Sequence, residues 1–243
     1  MHCNQAKQIY DQNIQAYLDS PVGGKNDIQN QVFTHFLRFL NPGASVLDLG
    51  CGPGTNAKIM LKSHPHVRIT GLDLSKAMIR QARKAVPDGI FHCRDIRTVR
   101  YPENVYDAVI IASVAFHLKP KELIELIKNA AAVLKPDGLL FLNYWSGEYS
   151  GFKQLDFADR PMMVHYHDDS FLSQIIRFYA FGNLAVKRHQ RRLATATGSE
   201  LITDTYYFGQ TLKNMNAADL LRHNTMNSVI HRIFEKGFRK RPT

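Results

Sequence analysis

Cysteines, long apolar runs and acidic residues are all scarce in this chain of 243 residues. Its three cysteines, Cys3, Cys51 and Cys93, form no CxxC pair, so the sequence indicates neither a disulfide framework nor a thiolate zinc site. No apolar run approaches the roughly 18 residues of a membrane-spanning helix, and residues 1–5 lack the pattern of a secretion signal. We therefore expect a cytoplasmic protein without a metal site or a transmembrane segment.

What the chain does contain is typical of a folded protein with a basic end. Hydrophobic residues make up 44% and charged residues 21%, which favours one substantial core with a small extension over a disordered chain. Of the formal charge of +10, +7 lies from Lys187 onward, where eleven Lys or Arg face four Asp or Glu. Such a region attracts nucleic acid or anionic lipid, but it also occurs as a solvated face.

Strand-length apolar runs alternate with helix-length segments between residues 45 and 144. The predicted strands are Ser45–Leu49, Val67–Leu72, Ile90–Cys93, Ala108–Ala112 and Leu139–Tyr144, and the predicted helices are Thr55–Lys62, Lys76–Val86 and Lys121–Leu134. Strands separated by single helices form right-handed βαβ units, which predict a doubly wound α/β fold with helices on both faces of a parallel sheet. Ligands of such sheets bind at the carboxyl ends of the strands.

The segments on either side of this core are predicted to be a helical cover and an edge hairpin. The predicted elements are helices over Ala6–Leu18, Asp27–Leu40, Asp169–Phe181 and Asn216–Lys236 and strands over Leu184–Gln190 and Thr205–Leu212, with no clear element in residues 146–167. The two strands are close enough to pair as an antiparallel hairpin. We divide the chain into an N-terminal lid (1–43), a central domain (44–213) and a basic C-terminal helix and tail (214–243).

Three glycines, Gly50, Gly52 and Gly54, follow the first strand and precede a helix. Glycines let a ligand approach the backbone, and the helix start offers free N–H groups, so a dinucleotide could also bind here. Asp48 argues against a diphosphate, because its carboxylate would repel phosphate and suits an ammonium group. Asp73 is placed after the second strand to accept ribose hydroxyls, and Asp95 is placed after the third to accept from an adenine amino group.

These residues resemble the ordered motifs of class I S-adenosylmethionine-dependent methyltransferases. The motifs lie at residues 46–56, 71–78, 93–96, 106–111 and 134–140, within a resemblance that spans roughly residues 10–213. It implies a methyltransferase with a Rossmann-like, seven-stranded, mostly parallel sheet and an antiparallel edge hairpin. It also implies S-adenosylmethionine as the cofactor and S-adenosylhomocysteine as the product, so that the central domain binds the cofactor.

The resemblance also implies a role for individual residues. The glycine turn with Cys51 would line the methionine part of the cofactor, Asp48 would orient its ammonium group, and Asp73 would hold the ribose. The other implied contacts are Leu74, Met78, Asp95 and Ile96 around the adenine, Ala112 and Ser113 beside the sulfonium, and Tyr10 or Tyr17 at the carboxylate. From the residues alone, Asp73 and Asp95 could cap loops, and Met78, Cys51 and the tyrosines could serve packing.

The acceptor side is predicted from the residues that follow the fourth and fifth strands. His117 is the candidate general base, because an imidazole near its working pKa can take a proton, although a lone histidine also serves packing. Tyr144, Trp145, His165 and His167 are predicted to shape the acceptor pocket; the two histidines lack a third ligand for a metal.

The sequence favours methyl transfer to an oxygen or nitrogen atom of a small molecule, and two alternatives stay open. One is an RNA methyltransferase that uses the basic C-terminal region. Residues 111–114 lack the Asn/Asp-Pro-Pro-Tyr/Phe sequence used by many methyltransferases of base amines, which disfavours that chemistry. The other is a methyltransferase-like scaffold whose C-terminal helix docks on a partner or membrane. The sequence leaves the oligomeric state undetermined.

Overall fold

The computed structural model describes residues 2–20, 27–179, 181–195 and 198–212. The predicted final helix, Asn216–Lys236, and the basic tail lie outside the described residues. Within the described ranges, no helix is long and apolar enough to cross a membrane, and no three His, Cys, Asp or Glu side chains are grouped to hold a metal.

The described chain forms an α/β fold with seven helices and nine strands. The helices are α1 (His2–Gln12), α2 (Ile14–Asp19), α3 (Asp27–Leu37), α4 (Thr55–Ser63), α5 (Lys76–Ala85), α6 (Pro120–Val133) and α7 (Asp169–Phe178), with a 3-10 turn at Ala115–His117. The strands are β1 (Ser45–Leu49), β2 (Arg68–Asp73), β3 (Ile90–Cys93), β4 (Tyr106–Ile111), β5 (Leu134–Trp145), β6 (Ser150–Lys153), β7 (Met162–His165), β8 (Phe181–Thr195) and β9 (Gly198–Thr211).

Seven of these strands form the main sheet, in the order β3-β2-β1-β4-β5-β9-β8. The first five are parallel, whereas β9 runs antiparallel to both β5 and β8. The predicted doubly wound, mostly parallel sheet with an antiparallel edge hairpin is therefore confirmed. The order reverses between β1 and β4, which places a ligand crevice at the carboxyl end of β1.

Helices cover both faces of the sheet because each strand of its centre is apolar on both sides. Phe33 of α3, Met60 of α4 and Ile79 of α5 belong to the core on one face. Leu126 of α6 and Ile176 of α7 belong to the core on the other face. A third apolar cluster joins α1 to the β6–β7 pair, so it fixes the N-terminal helices over the crevice.

The prediction of one continuous helix over Ala6–Leu18 is wrong, because the chain forms two helices that meet at Asn13. Asn13 has a non-helical backbone, and its side-chain amide donates to the Ile9 carbonyl at 3.0 Å and to Asp159 at 3.0 Å. An asparagine side chain that competes for backbone partners interrupts a helix. Tyr10 of α1 and Tyr17 of α2 both line the crevice.

Residues 146–167 contain a short antiparallel pair, β6 and β7, where no element was predicted. Each strand has four residues, too short for a periodic signal. The edge strands are also longer than predicted: Thr195, Gly198 and Ser199, expected in a loop, belong to β8 and β9. Helix α7 ends at Phe178 and not at Phe181, because Phe181 pairs with Thr211 in the sheet and is buried.

Candidate active site

A cavity opens at the carboxyl edge of β1 to β4, beneath the two N-terminal helices. Thirteen of the residues predicted as site residues line it: Tyr10, Tyr17, Gly50, Cys51, Gly52, Asp73, Leu74, Met78, Asp95, Ile96, Ala112, Ser113 and His117. Residues scattered over more than 100 positions of sequence therefore share one cavity. Asp48, Gly54, Tyr144, Trp145, His165 and His167 are not in its lining.

The glycine turn after β1 needs glycine for two different physical reasons. Gly50, Gly52 and Gly54 have φ values of +83°, +52° and +83°, in the left-handed region that other residues avoid. A Cβ on Gly50 would lie 2.6 Å from the Cβ of Val114, whereas a Cβ on Gly52 would meet nothing within 4 Å. Gly50 therefore allows the close packing of the turn, and Gly52 leaves open space in the cavity.

Asp73 is fixed at the end of β2 by two backbone amides. Its Oδ2 accepts from the Gly52 N–H at 3.0 Å, and its Oδ1 accepts from the Ser75 N–H at 2.8 Å. Burial raises the pKa of Asp73 to about 6, although these amide hydrogen bonds act in the opposite direction. Each oxygen keeps further acceptor capacity, as a ribose contact would require.

Asp48 lies in β1 behind the glycine turn and is fully buried. Neither of its carboxyl oxygens has a hydrogen-bond partner among the described residues. Burial, with a smaller contribution from Asp73, raises the pKa of Asp48 to about 7. A buried acid without a partner is costly, and a nearby positive charge would favour the ionised form of both carboxyls. The turn therefore suits a cationic ligand and opposes a diphosphate.

Asp95 forms an ion pair that the sequence did not indicate. Its carboxylate accepts from the Arg97 guanidinium at 2.6 Å, and Arg97 also donates to Glu122 at 2.7 Å. These contacts hold the pKa of Asp95 below its usual range. The ion pair fixes the loop after β3, so that Asp95, Ile96 and Arg97 all line the cavity.

The N-terminal helices contact the cavity through Asp11, Tyr10 and Tyr17. Asp11 Oδ1 accepts from the Ser75 hydroxyl at 2.7 Å and from the Ala77 N–H at 2.9 Å, which joins α1 to the start of α5. The Tyr10 ring stacks on Phe157 and meets the Tyr17 ring edge-on. Aromatic packing and the Asp11 contacts together hold this cover closed.

Tyr10 and His117 approach each other across the cavity. The Tyr10 hydroxyl lies 2.8 Å from His117 Nε2, and the two rings meet edge-on with centroids 5.4 Å apart. Burial lowers the pKa of His117 to about 4 and raises that of Tyr10. Both groups are therefore neutral at neutral pH.

The four residues predicted to wall the acceptor pocket lie behind the 3-10 turn at Ala115–His117. Trp145 stacks on Phe116 with ring centroids 4.2 Å apart, and His167 Nε2 lies 3.0 Å from the Ala115 carbonyl oxygen. His165 bonds to the Ser150 hydroxyl, and Tyr144 packs in the core. They support the segment that carries His117, whereas they do not line the cavity.

Several side chains that line the cavity were absent from the sequence prediction. Gln29 accepts a hydrogen bond from the Ser113 hydroxyl at 2.8 Å, and Asn30 lies beside it on α3. Lys7, one turn before Asp11, pairs with it at 2.8 Å. Polar residues on the amphipathic helices α1 and α3 were the available signal, but a helical pattern cannot tell a polar face in solvent from one facing a cavity.

The fold and the cavity are typical of class I, S-adenosylmethionine-dependent methyltransferases, and the comparisons with known proteins support that class for the central part of the chain. Residues 46–138 match the family model described as a methyltransferase domain. The chain is 40% identical over 101 residues to trans-aconitate 2-methyltransferase of Enterobacter sp. (strain 638), covering 42% of this chain and 39% of that protein. It is 29% identical over 157 residues to 2-methyl-6-phytyl-1,4-hydroquinone methyltransferase of Synechocystis sp., covering 60% of this chain and 48% of that protein.

The chain thus matches less than half the length of these two relatives. Among solved structures, magnesium protoporphyrin IX methyltransferase of Synechocystis PCC 6803 with bound S-adenosylhomocysteine is similar, with a TM-score of 0.64 and 16% identity over 87% of this chain and 100% of that one. This likeness shows the same fold.

Proposed function

We propose that this protein transfers a methyl group from S-adenosylmethionine to an oxygen or nitrogen atom of a small-molecule acceptor. The observation that carries the proposal is the pair of buried carboxyls, Asp48 and Asp73, beside the open space at Gly52. When bound, S-adenosylmethionine supplies a methyl group on a positively charged sulfur, and its ammonium group adds a second positive charge. Two acids without a cationic partner of their own match that charge.

The proposed contacts follow the cavity from β1 to β3. The glycine turn and Asp48 hold the amino-acid end of the cofactor, and Asp73 accepts from the ribose hydroxyls. Leu74 and Met78 contact the faces of the adenine, while Asp95 and Ile96 contact its edge. Tyr17 lines the cavity, and its hydroxyl is buried close enough to Asp73 for the two groups to interact electrostatically. It remains our candidate for contact with the carboxylate of the cofactor.

The acceptor would meet mainly neutral polar groups. Ser113, Gln29 and Asn30 line the cavity at the carboxyl end of β4. The two cationic side chains among the lining residues are both committed to ion pairs, Lys7 with Asp11 and Arg97 with Asp95 and Glu122. Because both cations are already paired with carboxylates, they favour an acceptor without a negative charge, and we propose a neutral hydroxyl or amine as the acceptor group.

His117 is our candidate for the base that finally holds the proton lost by the acceptor. Its lowered pKa keeps the imidazole neutral throughout the physiological pH range, so it is ready to accept a proton without prior deprotonation. The residues behind it, Trp145 and His167, fix the turn on which it lies.

Calorimetry with S-adenosylhomocysteine and S-adenosylmethionine tests the cofactor proposal. We expect binding to the full chain and a loss of at least about tenfold in affinity for Asp73→Asn, since the ribose would lose a charged acceptor. Lys128→Ala is a suitable control, because Lys128 is an exposed residue of α6 outside the cavity. Absence of binding at millimolar ligand would overturn the proposal.

A panel of acceptors tests the substrate class. The names of the two relatives specify unlike acceptors, trans-aconitate and a phytyl hydroquinone, so both belong in the panel with simple phenols, alcohols and amines. Formation of S-adenosylhomocysteine is the readout. Turnover of neutral acceptors above that of carboxylates is expected; the reverse preference would contradict the argument from the paired cations.

The nucleic-acid alternative is not favoured by the described residues. Of the four Lys or Arg residues at positions 187–192, Arg188 and Arg191 are paired with Asp169 and Asp204. This lowers the charge available to a phosphate backbone. The scaffold alternative relies on the helix at Asn216–Lys236, which lies outside the described residues. The cytoplasmic location and the three-part division of the chain remain predictions.

A further inference from the structure

His117 is an unusual candidate for direct proton abstraction, because its Nε2 already has a hydrogen-bond partner. Nε2 lies 2.8 Å from the Tyr10 hydroxyl. A phenol hydroxyl is more acidic, and so a better hydrogen-bond donor, than the N–H of a neutral imidazole. This pair therefore favours the tautomer whose imidazole proton is on Nδ1.

With that tautomer, Nε2 is an acceptor and the Tyr10 hydroxyl donates to it. A neutral imidazole has one lone pair in the ring plane, and this hydrogen bond uses it. The Tyr10 oxygen, in contrast, keeps lone pairs, and Tyr10 lines the same cavity. The tyrosine oxygen is therefore the basic atom of the pair that an acceptor molecule can reach.

We propose that Tyr10 and His117 form a proton relay, in which Tyr10 receives the acceptor's proton and His117 stores it. This inference rests on the proposed function and deepens it. As the acceptor oxygen or nitrogen bonds to the methyl carbon, its proton moves to Tyr10 Oη, and the Tyr10 proton moves to His117 Nε2. The carbon–sulfur bond breaks with its electron pair left on sulfur, and the resulting imidazolium later releases its proton to water.

The relay has a structural consequence for the N-terminal helices. Tyr10 belongs to α1, whereas His117 follows β4, more than 100 residues later. Stacking on Phe157 and the Asp11 contacts with α5 fix the ring of Tyr10 in the cavity. The base is thus complete only when α1 lies over the cavity, which links closure of the site to its proton chemistry.

Histidine-selective NMR of the full chain tests the relay without any acceptor. The wild-type spectrum should show neutral His117 with its proton on Nδ1. In Tyr10→Phe, which keeps the stacking ring and removes the hydroxyl, the proton affinity of His117 should rise about tenfold, because a hydrogen bond that favours the neutral form is lost. Tyr149→Phe removes a hydroxyl outside the cavity and should leave His117 unchanged.

A proton on Nε2 in the wild type, or an unchanged His117 titration in Tyr10→Phe, would overturn the relay. Neither result would affect the calorimetric test of cofactor binding, so failure of the relay and failure of the proposed function are distinguishable. Because S-adenosylhomocysteine carries no methyl group to transfer, its affinity for Tyr10→Phe should stay within about threefold of wild type if Tyr10 serves the proton. A loss of more than about tenfold would instead make Tyr10 a cofactor-binding residue and contradict the relay.

Discussion

Asp48 is the residue whose energetic cost in the folded chain is clearest. Its carboxyl is buried with no hydrogen-bond partner in the described part of the chain, and its pKa is raised to about 7 from an ordinary value of 3.8. In the unfolded chain it loses its proton near pH 4, whereas in the folded chain it keeps the proton up to about pH 7. The folded state therefore loses stability as the pH rises through this range.

Replacing Asp48 by Asn should raise the free energy of unfolding and weaken cofactor binding. The stability gain over wild type should grow from about pH 4 to about pH 7 and then level off, reaching on the order of 4 kcal/mol at most. Urea unfolding across this pH range measures the stability gain. Calorimetry with S-adenosylmethionine measures how much affinity is lost when the Asp48 charge is removed. An equal pH dependence in wild type and Asp48→Asn would contradict the raised pKa.

Alanine at Gly50 and at Gly52 should have different effects. Gly50→Ala places a methyl group 2.6 Å from Val114 Cβ at a φ of +83°, so it should destabilise the fold by roughly 2 to 4 kcal/mol. Gly52→Ala meets no atom within 4 Å, so only its positive φ should cost about 1 kcal/mol.

Cofactor affinity separates the roles of these two glycines. The Gly52→Ala protein should remain folded, yet it should bind S-adenosylhomocysteine at least about tenfold more weakly, because its new methyl group stands in the space left for the ligand. Urea unfolding and calorimetry provide the two readouts. Wild-type affinity in Gly52→Ala would show that the ligand does not approach this part of the turn.

At the scale of elements, the contact between α1 and α5 should control how often the cover opens. Asp11 bonds to the Ser75 hydroxyl and the Ala77 N–H at the first turn of α5. Asp11→Ala removes both hydrogen bonds, so amide exchange in α1 should quicken about tenfold while exchange in β1 and β4 stays constant.

Hydrogen-exchange mass spectrometry measures this difference between elements. Gln8→Ala is the matched control, because Gln8 is an exposed residue of the same helix. If Asp11→Ala and Gln8→Ala exchange at the same rate as wild type, aromatic packing on Phe157 alone holds α1 in place.

Elements were predictable where their sequences carry a period. The five parallel strands and helices α4 to α6 were predicted within a few residues, because each buries an apolar face with spacing that fits its backbone. Strands β6 and β7 were missed, and β8 was predicted too short. Strands β6 and β7 exist because of pairing partners 9 to 15 residues away in sequence, which local spacing does not encode.

At the scale of the whole molecule, cofactor binding should be independent of the basic end. The described cavity lining runs from Ala6 to Leu118, and the last described strand of the main sheet ends at Thr211. Residues 213–243 carry seven Lys or Arg and two Asp or Glu, or +5 of the net charge of +10. A chain that ends at Leu212 should therefore bind S-adenosylhomocysteine within about twofold of the full chain.

The same two proteins test whether the basic end binds nucleic acid. Any RNA affinity that the full chain shows at low salt should fall steeply as salt is added and should be reduced in the shorter chain, because it depends on phosphate neutralisation. Filter binding at several salt concentrations measures it. Salt-independent RNA binding that survives removal of residues 213–243 would instead place the RNA contact on the α/β domain.

The sequence by itself determined the α/β fold, the glycine turn and the acids near the carboxyl ends of β1, β2 and β3, because local spacing and backbone requirements mark them. Only the tertiary structure decided which side chains share the cavity. It buried Asp48 away from any hydrogen-bond partner among residues 2–20, 27–179, 181–195 and 198–212, paired Asp95 with Arg97 and brought Tyr10 to His117. It also placed Tyr144, Trp145, His165 and His167 behind the cavity wall. Such contacts join residues far apart in the chain, and their geometry depends on how helices and strands pack, which no local pattern specifies.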